Sequence, residues 1–430
     1  MVNGKSGILM ALALLFLIAP GASPVYGNPL VVLRPGKAKT EVIVVENPGS
    51  PGRLLVTLPT SQAGVTSQSY LGQEQAPRNV GKGKVLLYKI DEKTWKLTAF
   101  ILNLESGAMT GLKELFPGSH AYMTPEGKVV STGNSFRVSK DGKFLLCFRV
   151  RNMVVAEERY EGEASLVLYD VGARKIVWEK FIMKGDLSLG LRVYGHFTSD
   201  LLFVFLNGML YKMPYRKELK LTPLVKGSLF VTVAPNDSLA VMETRPQGCK
   251  LFDFAASAIR SGVKLPDDPV QPVFSPNGEY LCYGERDGAL FLVNTLTGKA
   301  KVIDQGPVLN PWPLFSPDGT SLVYLKERIA RADNYEARGG YRVVCQDLAS
   351  GLSVTLNPGV SEKEQISSMT GSSQGYWVSV SSLSSMPSSL VRLYCIPWNA
   401  RGDSECLLWY NGRDSGFVVP DSLEYNNPGL

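Results

Sequence analysis

The chain has 430 residues and a formal net charge of +6, with 44% hydrophobic and 20% charged residues. This is the composition of a folded protein, and it excludes a largely disordered chain. The positive charge is weak and dispersed, which excludes a nucleic-acid surface of clustered lysines and arginines, and no polybasic run indicates attachment to a membrane surface.

Residues 1–27 have the pattern of a secretory signal peptide. Lys5 precedes an unbroken apolar run over residues 8–18, a Pro20-Gly21 break follows, and the segment ends at Gly27. The alternative is an uncleaved membrane anchor, but a run of about 11 apolar residues is short for crossing a bilayer, which takes about 20. We therefore expect cleavage after Gly27, a secreted or periplasmic location, and no membrane insertion of the mature chain.

Residues 28–136 are predicted to form a divergent first unit of a repeating β-structure, followed by a long loop. Apolar runs over residues 41–45 and 54–58 indicate two strands, and runs over residues 85–90 and 95–100 indicate two more. Turn-rich and polar segments separate these runs. We interpret the four strands as one sheet, which the long segment 103–136 connects to the next.

Two closely similar turns define the repeat most clearly. Ser275-Pro276-Asn277-Gly278 returns as Ser316-Pro317-Asp318-Gly319, 41 residues later. Proline fixes the backbone at the second position of such a turn, and glycine accepts the left-handed conformation that leads into the next strand. Between the turns, apolar runs over residues 280–283, 289–293 and 299–303 indicate three short strands, and residues 273–274 ahead of the first turn indicate a fourth. Four strands in about 40 residues are typical of a propeller blade.

Weaker copies of this turn recur along the chain. Aligned on the serine position, they fall at residues 139, 198, 234, 275, 316 and 372. Together with the N-terminal unit they predict a single all-β propeller over residues 28–430 with seven blades, or with six if the N-terminal strands only complete the last blade. Residues 137–410 carry the recognisable blades. Residues 411–430 are predicted to supply a closing strand and a tail.

These turns and the strands that follow them resemble the repeats of TolB-like propellers, whose layout is similar to that of WD-repeat blades. The resemblance covers about residues 137–408, strongly at the turns of Ser275 and Ser316. It implies the architecture and little else, because the family includes both periplasmic protein-binding propellers and the propeller halves of prolyl-oligopeptidase-type enzymes.

No motif in the chain indicates a catalytic triad, a metal or a cofactor. Gly371-Ser372-Ser373-Gln374-Gly375 has the spacing of a hydrolase nucleophile elbow, but the only two histidines, His120 and His196, precede it. Asp414-Ser415-Gly416 matches a protease nucleophile region only in part. The six cysteines lack zinc-ligand spacing, and a bridge between Cys395 and Cys406 across the last hairpin stays open.

The predicted insertions all fall at one end of the blades, which we call the long-loop face. It is the end at which the second strand of a blade joins the third and at which one blade joins the next. The insertions span residues 103–136, 149–164, 184–196, 326–340 and 381–389. Binding residues concentrate in loops on rigid scaffolds, and the candidates on this face are Arg149, Arg151, Glu157, Arg159, Tyr160, Trp312, Arg328, Arg331, Asp333, Tyr335 and Arg338.

The sequence thus predicts an exported, non-catalytic propeller that binds a protein, a peptide or a cell-envelope glycan through its long-loop face. The alternative is a hydrolase or lyase acting on polysaccharide with two or three carboxylates brought together by the ring. Glu157, Glu158, Glu161 and Asp333 are the candidates for that chemistry.

Overall fold

The structure is a computed structural model. It describes residues 30–35, 39–45, 53–59, 78–79, 84–90, 97–103, 106–112, 121–123, 129–131, 137–139, 141–156, 159–187, 194–227, 229–244, 248–286, 288–306, 313–327, 341–358, 364–371, 375–382, 391–412 and 415–416. The signal-peptide prediction for residues 1–27 lies outside these ranges. No helix among the described residues is long and apolar enough to span a bilayer.

The described residues form eight four-stranded sheets and one two-stranded sheet, with antiparallel pairing between neighbouring strands. Sheet 1 contains β1 (Leu30–Pro35), β2 (Lys39–Val45), β3 (Arg53–Pro59) and β34 (Ser415–Gly416). Sheet 2 contains β4 (Arg78–Asn79), β5 (Lys84–Ile90), β6 (Leu97–Asn103) and β7 (Met109–Gly111). The two-stranded sheet contains β8 (Ala121–Met123) and β9 (Val129–Ser131). Sheet 3 contains β10 (Arg137–Val138), β11 (Phe144–Ala156), β12 (Arg159–Asp170) and β13 (Lys175–Asp186).

The other five sheets follow one another along the chain. Sheet 4 contains β14 (Gly195–Phe197), β15 (Leu202–Leu206), β16 (Met209–Met213) and β17 (Thr222–Lys226). Sheet 5 contains β18 (Leu229–Val233), β19 (Leu239–Glu243), β20 (Cys249–Asp253) and β21 (Ala258–Ile259). Sheet 6 contains β22 (Val270–Phe274), β23 (Tyr280–Gly284), β24 (Leu290–Asn294) and β25 (Ala300–Asp304). Sheet 7 contains β26 (Leu314–Phe315), β27 (Ser321–Glu327), β28 (Tyr341–Asp347) and β29 (Ser353–Leu356), and sheet 8 contains β30 (Glu364–Gly371), β31 (Gly375–Ser382), β32 (Val391–Pro397) and β33 (Leu407–Gly412).

The sheets are arranged as the blades of a propeller. The first strand of one sheet contacts the first strand of the next at β10 and β14, at β18 and β22, at β22 and β26, and at β26 and β30. In sheets 3 to 8 the first strands are therefore the inner strands, and the last strand of each of these sheets is the outer one. The all-β class and the four-stranded antiparallel sheets predicted from the sequence are confirmed.

The hydrophobic core lies between successive sheets. Leu146 and Leu168 of sheet 3 share a buried cluster with Leu202 of sheet 4. Equivalent clusters join sheets 4 and 5, 5 and 6, 6 and 7, and 7 and 8. Because each sheet buries apolar side chains against its neighbours, its strands are continuous apolar runs, and this burial is the main force that stacks the blades.

The recurring turn has the same hydrogen bonds in each of its clearest copies. Ser275 is buried, and its Oγ accepts a bond from the Tyr280 amide at 2.9 Å and donates one to Asn277 at 2.8 Å. Ser316 makes the equivalent bonds to Ser321 and Asp318. Gly278 has a φ of +72°, which is the left-handed conformation predicted for this position.

The count of seven blades is not confirmed, because eight four-stranded sheets are present among the described residues. The prediction placed the strands near residues 41–58 and those near residues 85–100 in one blade. In the structure they belong to two sheets, since β1 to β3 pair with β34 from the other end of the chain, and β5 and β6 pair with β4 and β7.

Candidate binding surface

The predicted insertion at residues 149–164 is a β-hairpin and not a loop. β11 and β12 continue as paired strands up to Ala156 and Arg159, and β13 accompanies them as far as Asp186. With 13, 12 and 12 residues, these strands project beyond the sheet at the long-loop face. The prediction of a loop was wrong because arginines interrupt the apolar pattern of β11, although the strand continues through them.

The hairpin carries four of the predicted binding residues, two near the sheet and two at its tip. Arg149 and Arg151 lie on β11, and Arg159 and Tyr160 begin β12. The other predicted binding residues, Glu157, Trp312, Arg328, Arg331, Asp333, Tyr335 and Arg338, lie outside the described residues. Of the carboxylates considered for catalysis, Glu161 lies on β12, whereas Glu158 is also outside the described residues.

One face of the extended hairpin carries a network of charged side chains. Arg149 Nη1 and Arg151 Nη2 lie 3.4 and 3.0 Å from the same oxygen of Glu179. Lys184 Nζ lies 3.0 Å from Glu163 Oε1, and Asn152 donates a hydrogen bond to Glu163 Oε2 at 3.2 Å. The hydrogen bond and charge of Lys184 hold the pKa of Glu163 below its ordinary value. Both glutamates already have ion-pair partners, and two arginines share Glu179, which leaves the arginine side of the network with excess positive charge.

Phe181 lies in the middle of this network. It pairs across the strands with Ser165, which in turn pairs with Arg149. Its side chain is 59% exposed, which is unusual for a phenylalanine on a sheet. We call the set Arg149, Arg151, Glu163, Glu179, Phe181 and Lys184 the hairpin surface.

Sequence reasoning missed four members of the hairpin surface, Glu163 on β12 and Glu179, Phe181 and Lys184 on β13. It ended the last strand of this blade at Trp178, although the apolar residues Phe181, Ile182 and Met183 continue the pattern. These apolar residues were the sequence signal that the strand continues beyond Trp178. Two register shifts in the pairing of β12 with β13 obscure it, because each shift changes the face to which the following residues point.

A second polar cluster lies near the long-loop face between sheets 6 and 7. Lys326 Nζ is 2.8 Å from both carboxylate oxygens of Asp304, and Tyr324 donates a hydrogen bond to Asp304 at 2.9 Å. Burial raises the pKa of Asp304, but these bonds and the Gly306 amide outweigh it, so the net pKa is lowered. Lys326 is the first residue of the predicted insertion over residues 326–340, which has three of the predicted arginines. In the structure Lys326 still belongs to β27, so its bonds hold the end of that strand.

The opposite end of the sheets carries bonds between blades. Arg216 Nη2 donates to Asp141 at 2.8 Å, which joins the turns of sheets 4 and 3. His196 Nε2 lies 2.8 Å from Asp237, which has a left-handed φ of +57° in the first turn of sheet 5. The contact of His196 is thus structural, and His120 lies outside the described residues.

The described residues of the two nucleophile-like motifs and the cysteines lie in or next to paired strands. Gly371 ends β30 and Gly375 begins β31, and these two strands pair with each other. Ser415 belongs to β34, which pairs with β1. All six cysteines are free, and Cys395 pairs with Leu407 and not with Cys406. Among the residues that the structure describes, no group of three histidine, cysteine, aspartate or glutamate side chains could hold a metal ion.

No protein-family description and no curated protein matches this chain. Several solved structures are similar to it. Porphyromonas gingivalis dipeptidyl peptidase 4 is 12% identical with a TM-score of 0.44, over 75% of this chain and 52% of that one. The tricorn protease is 9% identical with a TM-score of 0.36, over 85% of this chain and 49% of that one. TolB from Acinetobacter baumannii is 13% identical with a TM-score of 0.31, over 75% of this chain and 77% of that one.

The chain thus spans about half the length of the two peptidases that it matches. At these identities the likeness concerns the fold alone. The fold itself follows from the order of the strands, the contacts between first strands and the cores between sheets. On these grounds, the chain is a β-propeller with the four-stranded antiparallel blades that TolB-like and WD-repeat propellers share.

Proposed function

We propose that this protein is an exported, non-catalytic propeller that binds a protein, a peptide or a cell-envelope glycan at its long-loop face. Export is proposed from residues 1–27, whose sequence has the pattern of a signal peptide. The binding role is proposed from the hairpin surface.

The observation that carries the proposal is the projection of β11 to β13 beyond the sheet with an exposed Phe181 between paired charges. The second strands of the other seven sheets have five to eight residues, against 13 in β11. A propeller needs no such extension to close its ring. Arginine and aromatic side chains are enriched at interaction hot spots, and here Arg149, Arg151 and Phe181 occupy neighbouring positions on one face.

The geometry also holds these side chains in fixed places. Glu179 binds both arginines, and the strand pairing fixes the backbone under Phe181. Side chains that are already ordered lose less conformational entropy when a partner binds. The hairpin surface is therefore better suited to recognition than flexible loop residues of the same composition.

The test is photo-cross-linking of the mature chain in an envelope extract of the source organism. A photoreactive residue replaces Arg151 in one variant and Leu296 in the other. Leu296 is the control, because it is 78% exposed but lies at the opposite end of sheet 6. We expect discrete adducts from position 151 that are absent from position 296. Identical adducts from both positions, or none from position 151, would overturn the proposal.

A further inference from the structure

The outer edge of sheet 3 is the longest in the described part of the molecule. β13 is the last strand in the order of its sheet and has 12 residues, whereas the outer strands of the other seven sheets have two to seven. One edge of β13 pairs with β12, and no described strand pairs with the other edge. Such an edge presents backbone donors and acceptors to which a further strand can add.

We propose that this edge of β13 binds an extended acidic peptide by strand addition, with Phe181 as the apolar anchor. This inference rests on the proposed binding function and gives it a partner class. In strand addition the main chain supplies the affinity, and alternate side chains supply the specificity. The peptide would pair beside residues 178–181, the stretch between the two register shifts where β12 and β13 pair regularly.

The charges of β13 favour an acidic partner. Lys175 and Lys180 are exposed, and neither has an ion pair among the described residues. The carboxylate of Glu179, which lies beside them, is held by Arg149 and Arg151. Unpaired positive charge therefore remains along the edge, and a strand with alternating carboxylates would compensate it. Opposite charges on neighbouring strands stabilise a sheet, whereas like charges destabilise it.

The same features disfavour a second copy of this chain as the occupant. Pairing of β13 with itself would bring net positive edges together. Lysines and irregular pairing are also the means by which natural sheets discourage edge-to-edge association. Phe181 is exposed although the edge of β13 has these two features. This agrees with an edge that binds a partner of opposite charge and does not associate with a second copy of this chain.

The experiment measures fluorescence anisotropy of labelled peptides with the mature chain. The probe is a fluorescein-labelled octapeptide in which aspartate and glutamate alternate with valine and leucine. One control peptide has lysine in place of every acidic residue, and another has alternate amides N-methylated, so that it cannot complete a ladder of hydrogen bonds. We expect saturable binding of the acidic peptide and at least tenfold weaker binding of both controls.

Two protein variants locate the site. Phe181→Ala and Lys180→Glu should each weaken binding of the acidic peptide by roughly tenfold, which corresponds to the loss of one hot-spot contact. Leu296→Ala, at the opposite end of the molecule, should leave it unchanged. Because Phe181 and Lys180 are exposed, all variants should keep the thermal midpoint of the wild type.

Equal binding of the N-methylated peptide, or full binding to Phe181→Ala, would overturn the inference. So would the absence of binding by the acidic peptide. The failure of this inference is distinguishable from that of the proposed function. If adducts still form from position 151 in the Phe181→Ala background while the acidic peptide does not bind, the long-loop face has a partner that does not use the edge of β13.

Discussion

Lys326 donates through Nζ to both carboxylate oxygens of Asp304, at 2.8 Å each, and so joins sheet 7 to sheet 6. The side chain of Asp304 is only 12% exposed, whereas that of Lys326 is 36% exposed. Because the Asp304 carboxylate is less exposed to solvent than the Lys326 ammonium, Asp304 depends on the ion pair more than Lys326 does. The pair lies at the start of the predicted insertion over residues 326–340, which makes it a support for the long-loop face.

Replacing Lys326 should destabilise the fold by removing the ion-pair partner of Asp304, although the hydrogen bonds from Tyr324 and the Gly306 amide remain. We expect Lys326→Met to lower the free energy of unfolding by about 1–2 kcal/mol, less than for a fully buried pair because the lysine is partly exposed. The measurement is urea unfolding at neutral pH. Lys301→Met is the control, since Lys301 is exposed and has no ion pair among the described residues, and it should change little.

A double variant separates the pair from its surroundings. Lys326→Met combined with Asp304→Asn removes the unpaired charge, so it should lose less stability than the sum of the two single changes. If the loss of unfolding free energy in the double variant equals the sum of the two single losses, the two side chains act independently, and the contact between them does not contribute to stability.

The stability contributed by Asp304 should depend on pH. The net pKa of Asp304 in the folded state lies below the ordinary value of 3.8, because the bonds from Lys326 and its neighbours outweigh burial. The folded state therefore binds the proton less readily than the unfolded state. The contribution is complete above about pH 4 and is lost as the pH falls through the lowered pKa.

Urea unfolding of the wild type and of Asp304→Asn between about pH 7 and pH 3 tests this sign. The difference in unfolding free energy between the two proteins should be largest near neutrality and should shrink below about pH 4. Asp141 and Asp318 also have lowered pKa values, so both proteins should lose stability in acid. A difference that grows toward low pH would contradict the assignment.

Ser275 should contribute to stability through the turn that it closes. Its Oγ is buried and exchanges hydrogen bonds with the Tyr280 amide and with Asn277. Ser275→Ala leaves that amide without its side-chain acceptor, and we expect a loss of about 1–2 kcal/mol in unfolding free energy. Ser261→Ala, at an exposed turn position, is the control and should cost much less. Equal effects would show that the turn does not need the serine.

The repeated turn also explains how much of the fold was predictable. Serine, aspartate or asparagine, and glycine each have a required role there, so the pattern survives in the sequence at residues 139, 275 and 316. Sheet 1 could not be found in this way, because β1 pairs with β34 from the other end of the chain. Pairing between distant segments leaves no local spacing to recognise.

The hairpin surface was predictable only in part for a related reason. Arg149 and Arg151 stood out as clustered charges, but their partner Glu179 is about 30 residues away in sequence. It faces them only after three strands, β11, β12 and β13, have paired. Phe181 gave no signal of exposure, because a phenylalanine in an apolar run is normally buried. The register of β12 and β13 decides its position, and local composition does not specify that register.

Gly298 should be intolerant of a side chain because its turn lies against the preceding blade. Its φ is +71°, and a Cβ atom there would lie 2.7 Å from the carbonyl oxygen of Gly262 in the loop that joins sheet 5 to sheet 6. A backbone atom cannot move aside as a flexible side chain can. We expect Gly298→Ala to lower the unfolding free energy by about 2–4 kcal/mol, from the left-handed backbone and the contact together.

Gly351 provides the matched control for this prediction. It occupies the equivalent turn of sheet 7 with a φ of +74°, but a Cβ atom there would meet nothing within 4 Å. Gly351→Ala should therefore cost only the backbone term, about 1 kcal/mol. The difference between the two variants in urea unfolding measures how tightly sheets 5 and 6 are packed at this turn. If Gly298→Ala and Gly351→Ala lose the same unfolding free energy, the loop at Gly262 moves to accommodate the added Cβ atom. The contact between these blades would then not restrict Gly298.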